Sequence, residues 1–268
     1  MHKHQVHMNR HSNTPQVIVS LTSFPAAIPY AKEAILSILY GNTLPDKLVL
    51  YVTLSQFAGT DILNDIINIS KENSIFEIRD YPTDIKSYRK LIPALIDFPD
   101  AIIVTIDDDV KYHKNMLQAL LDLHKQFPHA ILAHRAKLIK PDKAYRKWRK
   151  FRWYHFLFKK IHSSFFNIQT GVGGVLYPPH SLKSEMLNPT LFTSIAPTTD
   201  DIWFWAAAVA NDYPIIPVPF GYNKPRGLHK PRELSLKTLN FKSTTDLNAS
   251  TLKAILDKYP EIKRKIHQ

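Results

Sequence analysis

Apolar and polar residues recur with two different periods along the first half of the chain. Short β-branched runs, which predict strands, alternate with stretches whose apolar residues recur every three or four positions, which predict helices. The predicted strands span residues 17–22, 47–54, 76–80 and 101–106, and the predicted helices span 30–40, 61–71 and 87–98. This order predicts an α/β fold with a mostly parallel central sheet, whose ligand site lies at the carboxyl ends of the strands.

The second half of the chain shows a less regular pattern. It predicts helices at residues 115–126, 200–209 and 246–258 and strands at 130–133, 175–177 and 215–218. Three of the seven glycines fall in Thr170–Gly174, where the backbone can approach a ligand closely, although glycines also serve ordinary tight turns. Residues 1–14 are polar and predicted to be disordered, and residues 15–268 suit a single domain with one sizeable core.

The charge of the chain points to an acidic partner. The formal net charge of +12 suits nucleic acid, an anionic membrane surface or a phosphorylated substrate. Basic residues concentrate at 137–160 and 224–242, whereas carboxylates cluster at 107–109 and 200–201. Because a generic basic binding protein has no need of such acidic clusters, a phosphorylated substrate is expected and nucleic acid is not.

The sequence shows no pattern typical of a membrane span or a signal peptide. Its apolar runs are far shorter than the roughly 20 residues that cross a bilayer. The polar, His-rich start lacks the apolar core of a signal peptide, and the chain contains no cysteine. A cytoplasmic location is therefore expected.

Three consecutive carboxylates, Asp107, Asp108 and Asp109, follow the apolar strand predicted at 101–106. Adjacent like charges repel, so the cluster is costly unless a cation or solvent relieves it. If the strand conformation continues, its period of two places Asp107 and Asp109 on one face and Asp108 on the other. Two hard oxygen donors on one face suit Mg²⁺ or Mn²⁺, with phosphate oxygens and water completing the coordination. The alternative is a solvated acidic loop that caps the next helix.

Three segments in chain order resemble the GT-A glycosyltransferases, in particular bacterial family-2-type enzymes that build capsular or lipopolysaccharide glycans. They are Val19–Pro25, Val104–Asp109 and Thr199–Trp203. The resemblance implies a GT-A-like, Rossmann-like α/β fold with a mixed, mostly parallel sheet. It also implies a donor-nucleotide half at about 15–112, an acceptor half at about 113–245 and a terminal helix at about 246–268.

The resemblance also implies the ligands. The donor is a nucleotide-diphospho-sugar, with a UDP-sugar favoured, the cofactor is Mn²⁺ or Mg²⁺, and the acceptor is a glycan or a lipid-linked hydroxyl. Asp109 is expected to bind the metal directly, Asp107 to contact ribose or metal-bound water, and the late His229 to add a further metal ligand. The residues expected to contact the donor are Ser20, Thr22, Lys86, Ser87, Arg89, Lys90, Asp107, Asp108, Gly173 and Gly174.

The run Lys86–Lys90 is a predicted phosphate contact on chemical grounds as well. Cations and backbone N–H groups at the start of a helix attract phosphate. The alternative is an ordinary charged surface run.

Asp200 and Asp201 are the predicted catalytic residues. They open the helix predicted at 200–209, and the resemblance implies that Asp201 accepts the proton of the acceptor hydroxyl. A direct attack assisted by such a base inverts the configuration of the sugar. The structural alternative is that the pair caps the helix, because carboxylates in the first turn are favoured by the helix dipole.

Residues 143–166 combine basic and aromatic side chains. Apolar residues recur there every three or four positions, with lysines and arginines between them. This pattern predicts a basic amphipathic helix that attaches peripherally to the inner face of an anionic cytoplasmic membrane. The alternative is that the apolar stripe packs onto the sheet or forms a lid over the acceptor.

Three classes of function remain compatible with these features. A glycosyltransferase accounts for all of them. A metal-dependent phosphodiesterase or nuclease also combines acidic clusters with a basic surface, but such enzymes usually gather more carboxylates and histidines near one site. A non-catalytic nucleic-acid or membrane-binding protein explains the charge and leaves the carboxylates after a buried strand without a purpose.

Overall fold

The centre of the protein is a mixed sheet whose strands come from both halves of the chain. The structure is a computed structural model and describes residues 14–151, 163–218, 225–229, 231 and 246–266. Its strands are β1 (Val17–Thr22), β2 (Lys47–Val52), β3 (Phe76–Asp80), β4 (Ile102–Thr105), β5 (Val110–Lys111), β6 (Ile131–Ala133), β7 (Ala136–Leu138), β8 (Arg149–Lys150), β9 (Asn167–Gln169), β10 (Val175–Tyr177), β11 (Ile215–Pro217) and β12 (Arg226–Gly227).

The central sheet has seven strands in the order β11-β6-β10-β4-β1-β2-β3. All neighbours are parallel except the two pairs that β10 forms with β4 and β6. The described residues also form a three-stranded sheet, β8-β7-β9, and a two-stranded ribbon, β12-β5. The mostly parallel central sheet predicted from the sequence is confirmed.

Helices cover both faces of the central sheet. They are α1 (Ile28–Leu39), α2 (Asn64–Glu72), α3 (Ile92–Asp97), α4 (Met116–Gln126), α5 (Pro189–Ile195), α6 (Asp200–Ala210), α7 (Leu247–Lys258) and α8 (Pro260–Lys265). The strands divide their side chains between the two faces: Ile18 packs with the side of α3, α6, α7 and α8, and its neighbours Val17 and Val19 pack with the side of α1, α2 and α4.

Helix α6 is buried almost all round, which its sequence explains. Every residue from Ile202 to Val209 is apolar, so this part of the helix has no polar face to present to water. The central sheet lies on one side, and α7 and α8 contact the other. The C-terminal helices therefore complete the core around the helix that begins with Asp200 and Asp201.

The single helix predicted at 87–98 is wrong in its first turn. Residues Lys86–Lys90 form a 3-10 turn, and the α-helix starts only at Ile92. Pro93 explains the break, because it has no N–H and its ring is tolerated only in the first turn of a helix. The break places Arg89 and Lys90 on an irregular segment that faces the carboxyl edge of the sheet.

The amphipathic helix predicted for 143–166 is also wrong where the chain is described. Residues Tyr145–Lys147 form a 3-10 turn, and β8 pairs antiparallel with β7. Trp148 is 2% exposed and donates from Nε1 to the Lys143 carbonyl at 3.0 Å, and Phe151 is buried too. These two aromatic residues therefore pack inside the protein, where they cannot insert into a membrane. The remainder of the prediction, at 152–162, lies outside the described residues.

Among the described residues, no helix is both long and apolar enough to cross a membrane.

Candidate active site

The carboxyl edge of the central sheet brings the first acidic cluster next to the end of β1. Strands β1 and β4 are parallel neighbours, so their carboxyl ends lie side by side. The extended conformation of β4 ends at Thr105 and the chain turns at Asp108 and Asp109, so the alternating faces expected for the three carboxylates are not formed. Instead Ser23, which follows β1, donates from Oγ to Asp108 Oδ2 at 2.8 Å.

A buried lysine joins the two acidic clusters. Lys90 is 6% exposed, and its Nζ lies 3.0 Å from Asp107 Oδ1 and 3.1 Å from Asp200 Oδ2. Burial lowers the pKa of Lys90, but Asp107, Asp200 and Asp201 outweigh it and hold that pKa well above its usual range. The side chain is therefore an ammonium that offsets part of the negative charge at this edge.

Several residues predicted to contact the donor instead form hydrogen bonds with the segment that carries Lys90. Ser20 is fully buried, and its Oγ donates to the Lys90 carbonyl at 2.6 Å. Arg89 is also buried and donates from Nε to Thr22 Oγ1 at 2.8 Å. The structure thus places Ser20, Thr22 and Arg89 in a network beneath the site, and their contacts are with the protein itself.

Lys86 and Ser87 lie at the rim of the same segment. Lys86 is exposed and has a positive φ of 52°, and its N–H donates to Asp84 Oδ1 at 2.9 Å. Ser87 Oγ is buried and has no hydrogen-bond partner among the described residues. Of the two, only the Lys86 side chain is open to solvent for the phosphate contact that the sequence predicts.

Asp201 stands at the centre of the second cluster. It lies in the first turn of α6 after Thr199, the residue that precedes the helix, and neither carboxylate of the pair occupies the capping position. The Gly171 N–H donates to Asp201 Oδ1 at 3.1 Å, and Gln169 Nε2 donates to the Asp201 carbonyl at 3.1 Å.

The electrostatic surroundings of Asp201 favour its protonated form. Burial, followed by repulsion from Asp200, raises the pKa of Asp201 to about 7, against the opposing effect of Lys90. A carboxyl group that titrates near neutral pH is suited to take up a proton during a reaction.

Gly171 is a site residue that the sequence analysis did not single out. A Cβ at this position would lie 2.6 Å from Lys90 Nζ and 2.8 Å from Asp107 Oδ1, so only glycine allows this close approach. The signal for it was the concentration of glycines in Thr170–Gly174. The two glycines that were predicted, Gly173 and Gly174, have packing roles: a Cβ on the first would meet the Arg135 backbone at 2.9 Å, and one on the second would meet Met116 Sδ at 3.1 Å.

Two of the metal ligands predicted from the sequence, Asp109 and His229, flank the paired strands β5 and β12. Strand β12 pairs with β5, and the Leu228 N–H donates to the Asp109 carbonyl at 2.7 Å. His229 is exposed and directly follows Leu228, the backbone partner of Asp109. No group of three or more His, Asp or Glu side chains within the described ranges is arranged to hold a metal. Mg²⁺-type sites often use only one or two carboxylates plus substrate phosphates, so the roles of Asp109 and His229 as metal ligands stay a prediction.

Comparisons with known proteins support the fold. No protein-family model and no curated protein sequence matches the chain. Among solved structures it is similar to the mannosyltransferase PcManGT from Pyrobaculum calidifontis in complex with GDP-Man and Mn²⁺, with a TM-score of 0.53 and 13% identity over 96% of this chain and 75% of that one. It is also similar to residues 1–349 of S. aureus TarS in complex with UDP, with a TM-score of 0.53 and 12% identity over 91% of this chain and 71% of that one.

These likenesses, at 12–13% identity, define the class of fold. The chain is a Rossmann-like α/β protein with a mixed, mostly parallel sheet and an acidic site at the carboxyl ends of its strands. More particularly, its fold is GT-A-like, as the resemblance of its sequence segments implied, and this prediction is confirmed.

Proposed function

We propose that this protein is a metal-dependent glycosyltransferase that moves a sugar from a nucleotide-diphospho-sugar to a hydroxyl of a glycan or lipid-linked acceptor. The observation that carries the proposal is the joining of the Asp107–Asp109 turn to Asp201 through Lys90 and Gly171 at the carboxyl edge of the sheet. Ligands bind at this edge in open α/β sheets. The GDP-Man and Mn²⁺ in PcManGT and the UDP in TarS favour a nucleotide sugar and a divalent cation here as well.

Asp201 is the base of the proposed reaction. The acceptor O–H gives its proton to the Asp201 carboxylate while its oxygen forms a bond to the anomeric carbon of the donor. The bond between that carbon and the diphosphate oxygen breaks, and the nucleoside diphosphate leaves with the electron pair. The attack comes from the side opposite to the leaving group, so the proposed reaction inverts the anomeric configuration.

The Asp107–Asp109 turn forms the donor side of the proposed site. Asp109 and His229 would hold the metal, which when bound stabilises the negative charge of the leaving diphosphate. Asp107, whose charge Lys90 partly balances, would contact ribose or metal-bound water. A UDP-sugar donor and an acceptor in a capsular or lipopolysaccharide glycan are the finer parts of the proposal, and both rest on the resemblance of the sequence segments.

Nucleotide binding tests the proposal without knowledge of the acceptor. We predict that UDP or GDP with Mn²⁺ raises the melting temperature of the protein, and that the effect is lost in Asp109→Ala and reduced in His229→Ala. The physical reason is that both changes remove a metal ligand, so the diphosphate loses the cation that bridges it to the protein. Calorimetric titration of UDP, GDP and CMP with and without Mn²⁺ measures this directly.

The control is Asp257→Ala, which removes an exposed carboxylate from α7. It should leave the affinity for the nucleotide unchanged. An unaltered affinity in Asp109→Ala would contradict the metal site, and the absence of any nucleotide binding to the original protein would contradict the proposed function itself.

A further inference from the structure

A small basic sheet lies directly beside the proposed catalytic base. Strand β9 ends at Gln169, whose side chain holds the Asp201 carbonyl, and the next residues carry the N–H that binds the Asp201 carboxylate. Strand β7 pairs with β9 in antiparallel register, and β8 pairs with the other side of β7. The Arg135 end of β7 therefore lies at the loop that holds Asp201, and β8 lies one strand further away.

The cations of this sheet are placed close to one another. Arg135 precedes β7, and its carbonyl accepts from the Thr170 N–H at 2.9 Å, one residue before Gly171. Lys137 lies directly opposite Lys150 in the β7-β8 pair. Lys137 is buried and its Nζ donates to the Tyr145 carbonyl at 3.4 Å, so the exposed Lys150 is the cation of this pair that faces solvent.

Most of these cations lack a carboxylate partner. Lys143 pairs with Asp142. Six other basic side chains form no ion pair with any described residue: Arg135, Lys140, Arg146, Lys147, Arg149 and Lys150. All of them are exposed except Arg135, which is half-buried beside the loop of the site. We call these six residues the basic strip.

We propose that the basic strip binds the acceptor and that the acceptor is an anionic glycan, with phosphate or carboxylate groups close to the hydroxyl that is attacked. This inference rests on the proposed function, since it assigns the substrate class of the same site. Arg135, the member of the basic strip nearest the base, selects acceptors that carry an anionic group close to the attacked hydroxyl. Arg149 and Lys150 on the edge strand extend the contact along the polymer. Fixed cations beside a site raise the local concentration of an anionic substrate.

The surroundings of the basic strip favour a glycan over a membrane. An amphipathic segment that binds a membrane also inserts apolar side chains into the lipid, whereas Trp148 and Phe151 of this segment are buried. Tyr145 is partly covered, because Lys137 Nζ lies 3.2 Å from the centre of its ring. No aromatic ring among residues 135–151 is fully exposed, so the basic strip offers charge and hydrogen-bond donors, which suits a hydrated polyanion.

Matched polymers test the inference. Binding of phosphomannan is compared with binding of neutral mannan, and polygalacturonate is compared with its methyl ester, at low and high salt. We expect the anionic member of each pair to bind more tightly than the neutral one. Arg135→Gln should weaken the binding of the anionic polymer about fivefold, because it removes about one cation's contribution to the affinity. The double variant Arg149→Gln with Lys150→Gln should weaken it further.

Controls remove the same charge elsewhere. Lys71→Gln on α2 matches the single variant, and Lys263→Gln with Arg264→Gln on α8 matches the double variant; all three side chains are exposed. Binding of UDP with Mn²⁺ is measured in every variant. Loss of polyanion binding in the strip variants alone, with nucleotide binding intact, supports the inference.

Three results would overturn it. Equal binding of neutral and anionic polymers removes the need for an anionic acceptor. Equal weakening by the control variants, or equally tight binding to phosphatidylglycerol vesicles or duplex DNA, shows general adhesion to polyanions. Because nucleotide binding is a separate readout, failure of the inference leaves the proposed function standing, and failure of the proposed function appears as absent nucleotide binding.

Discussion

Replacing Asp201 with asparagine should stabilise the protein at neutral and alkaline pH while it removes the proposed base. Asp201 lies in a partly buried position beside Asp200, and both effects raise its pKa to about 7 from the ordinary value of 3.8. The folded state therefore binds the proton more tightly than the unfolded state does. As pH rises from about 4 to about 7, the free energy of unfolding falls, and above pH 7 the full cost is present.

The size of this cost follows from the two pKa values. The difference between 3.8 and about 7 corresponds to about 4 kcal/mol at 1.36 kcal/mol for each pKa unit. This figure is an upper limit, because part of the Asp201 residue is exposed and solvent screens its charge. Asparagine removes the charge and still accepts the hydrogen bond from Gly171, so Asp201→Asn should gain about 1–4 kcal/mol at pH 8.5 and at most about 1 kcal/mol at pH 4.5.

Thermal and urea unfolding at the two pH values measure this difference. The matched control is Asp200→Asn, which removes the same charge one residue earlier but breaks the contact with buried Lys90 and should destabilise the protein. In activity, Asp201→Asn should lower turnover by roughly 10²–10⁴-fold while nucleotide binding survives, because only the proton acceptor is lost. NMR of the product should show an inverted anomeric centre.

The reasoning is refuted if Asp201→Asn gains no stability at pH 8.5, or gains as much at pH 4.5. A larger loss of turnover in Asp200→Asn, or retention of anomeric configuration, would assign the base elsewhere.

Two further substitutions examine the link between the acidic clusters. Lys90→Met should lower the free energy of unfolding by about 3–5 kcal/mol, since it leaves the neighbouring carboxylates without their cation. Denaturant titration measures this loss. The control is Lys86→Met, which changes an exposed side chain and should lower the free energy of unfolding by under about 0.5 kcal/mol. Gly171→Ala should lower the melting temperature and Mn²⁺-dependent UDP affinity together, because its Cβ would displace Lys90 and Asp107. Gly227→Ala is its control, since a Cβ there meets nothing within 4 Å, and an equal effect from both would contradict the close approach.

Much of the fold was readable from local sequence patterns. Strands β1 and β4, which precede site residues, lie where their apolar runs predict. Helices α4 and α6 begin within one residue of the predicted positions. Periodicity succeeds here because each of these segments buries one face or both, so local pattern and tertiary environment agree. These patterns predicted the α/β sheet, and the resemblance of three segments implied that the fold is GT-A-like.

Two segments departed from their local pattern for identifiable reasons. Pro93 moved the start of α3 to Ile92 and left Lys86–Lys90 as a 3-10 turn. The aromatic spacing that starts at Tyr145 is typical of a helix, but Arg149 and Lys150 pair with β7 instead. Strand pairing with a distant segment overrides local helical spacing, and no window of sequence contains that partner.

The sequence by itself determined the chemistry available at the site: carboxylates after a buried strand, a second acidic pair at a helix start, and a glycine-rich loop between them in the chain. Only the tertiary structure decided which of these groups meet. Lys90 lies between Asp107 and Asp200, residues 17 and 110 positions away in the chain, and Gly171 leaves room for Lys90 and Asp107. Contacts of this kind depend on the spatial order of the strands in the sheet. Side chains far apart in sequence become neighbours only because β1, β4 and β10 lie side by side.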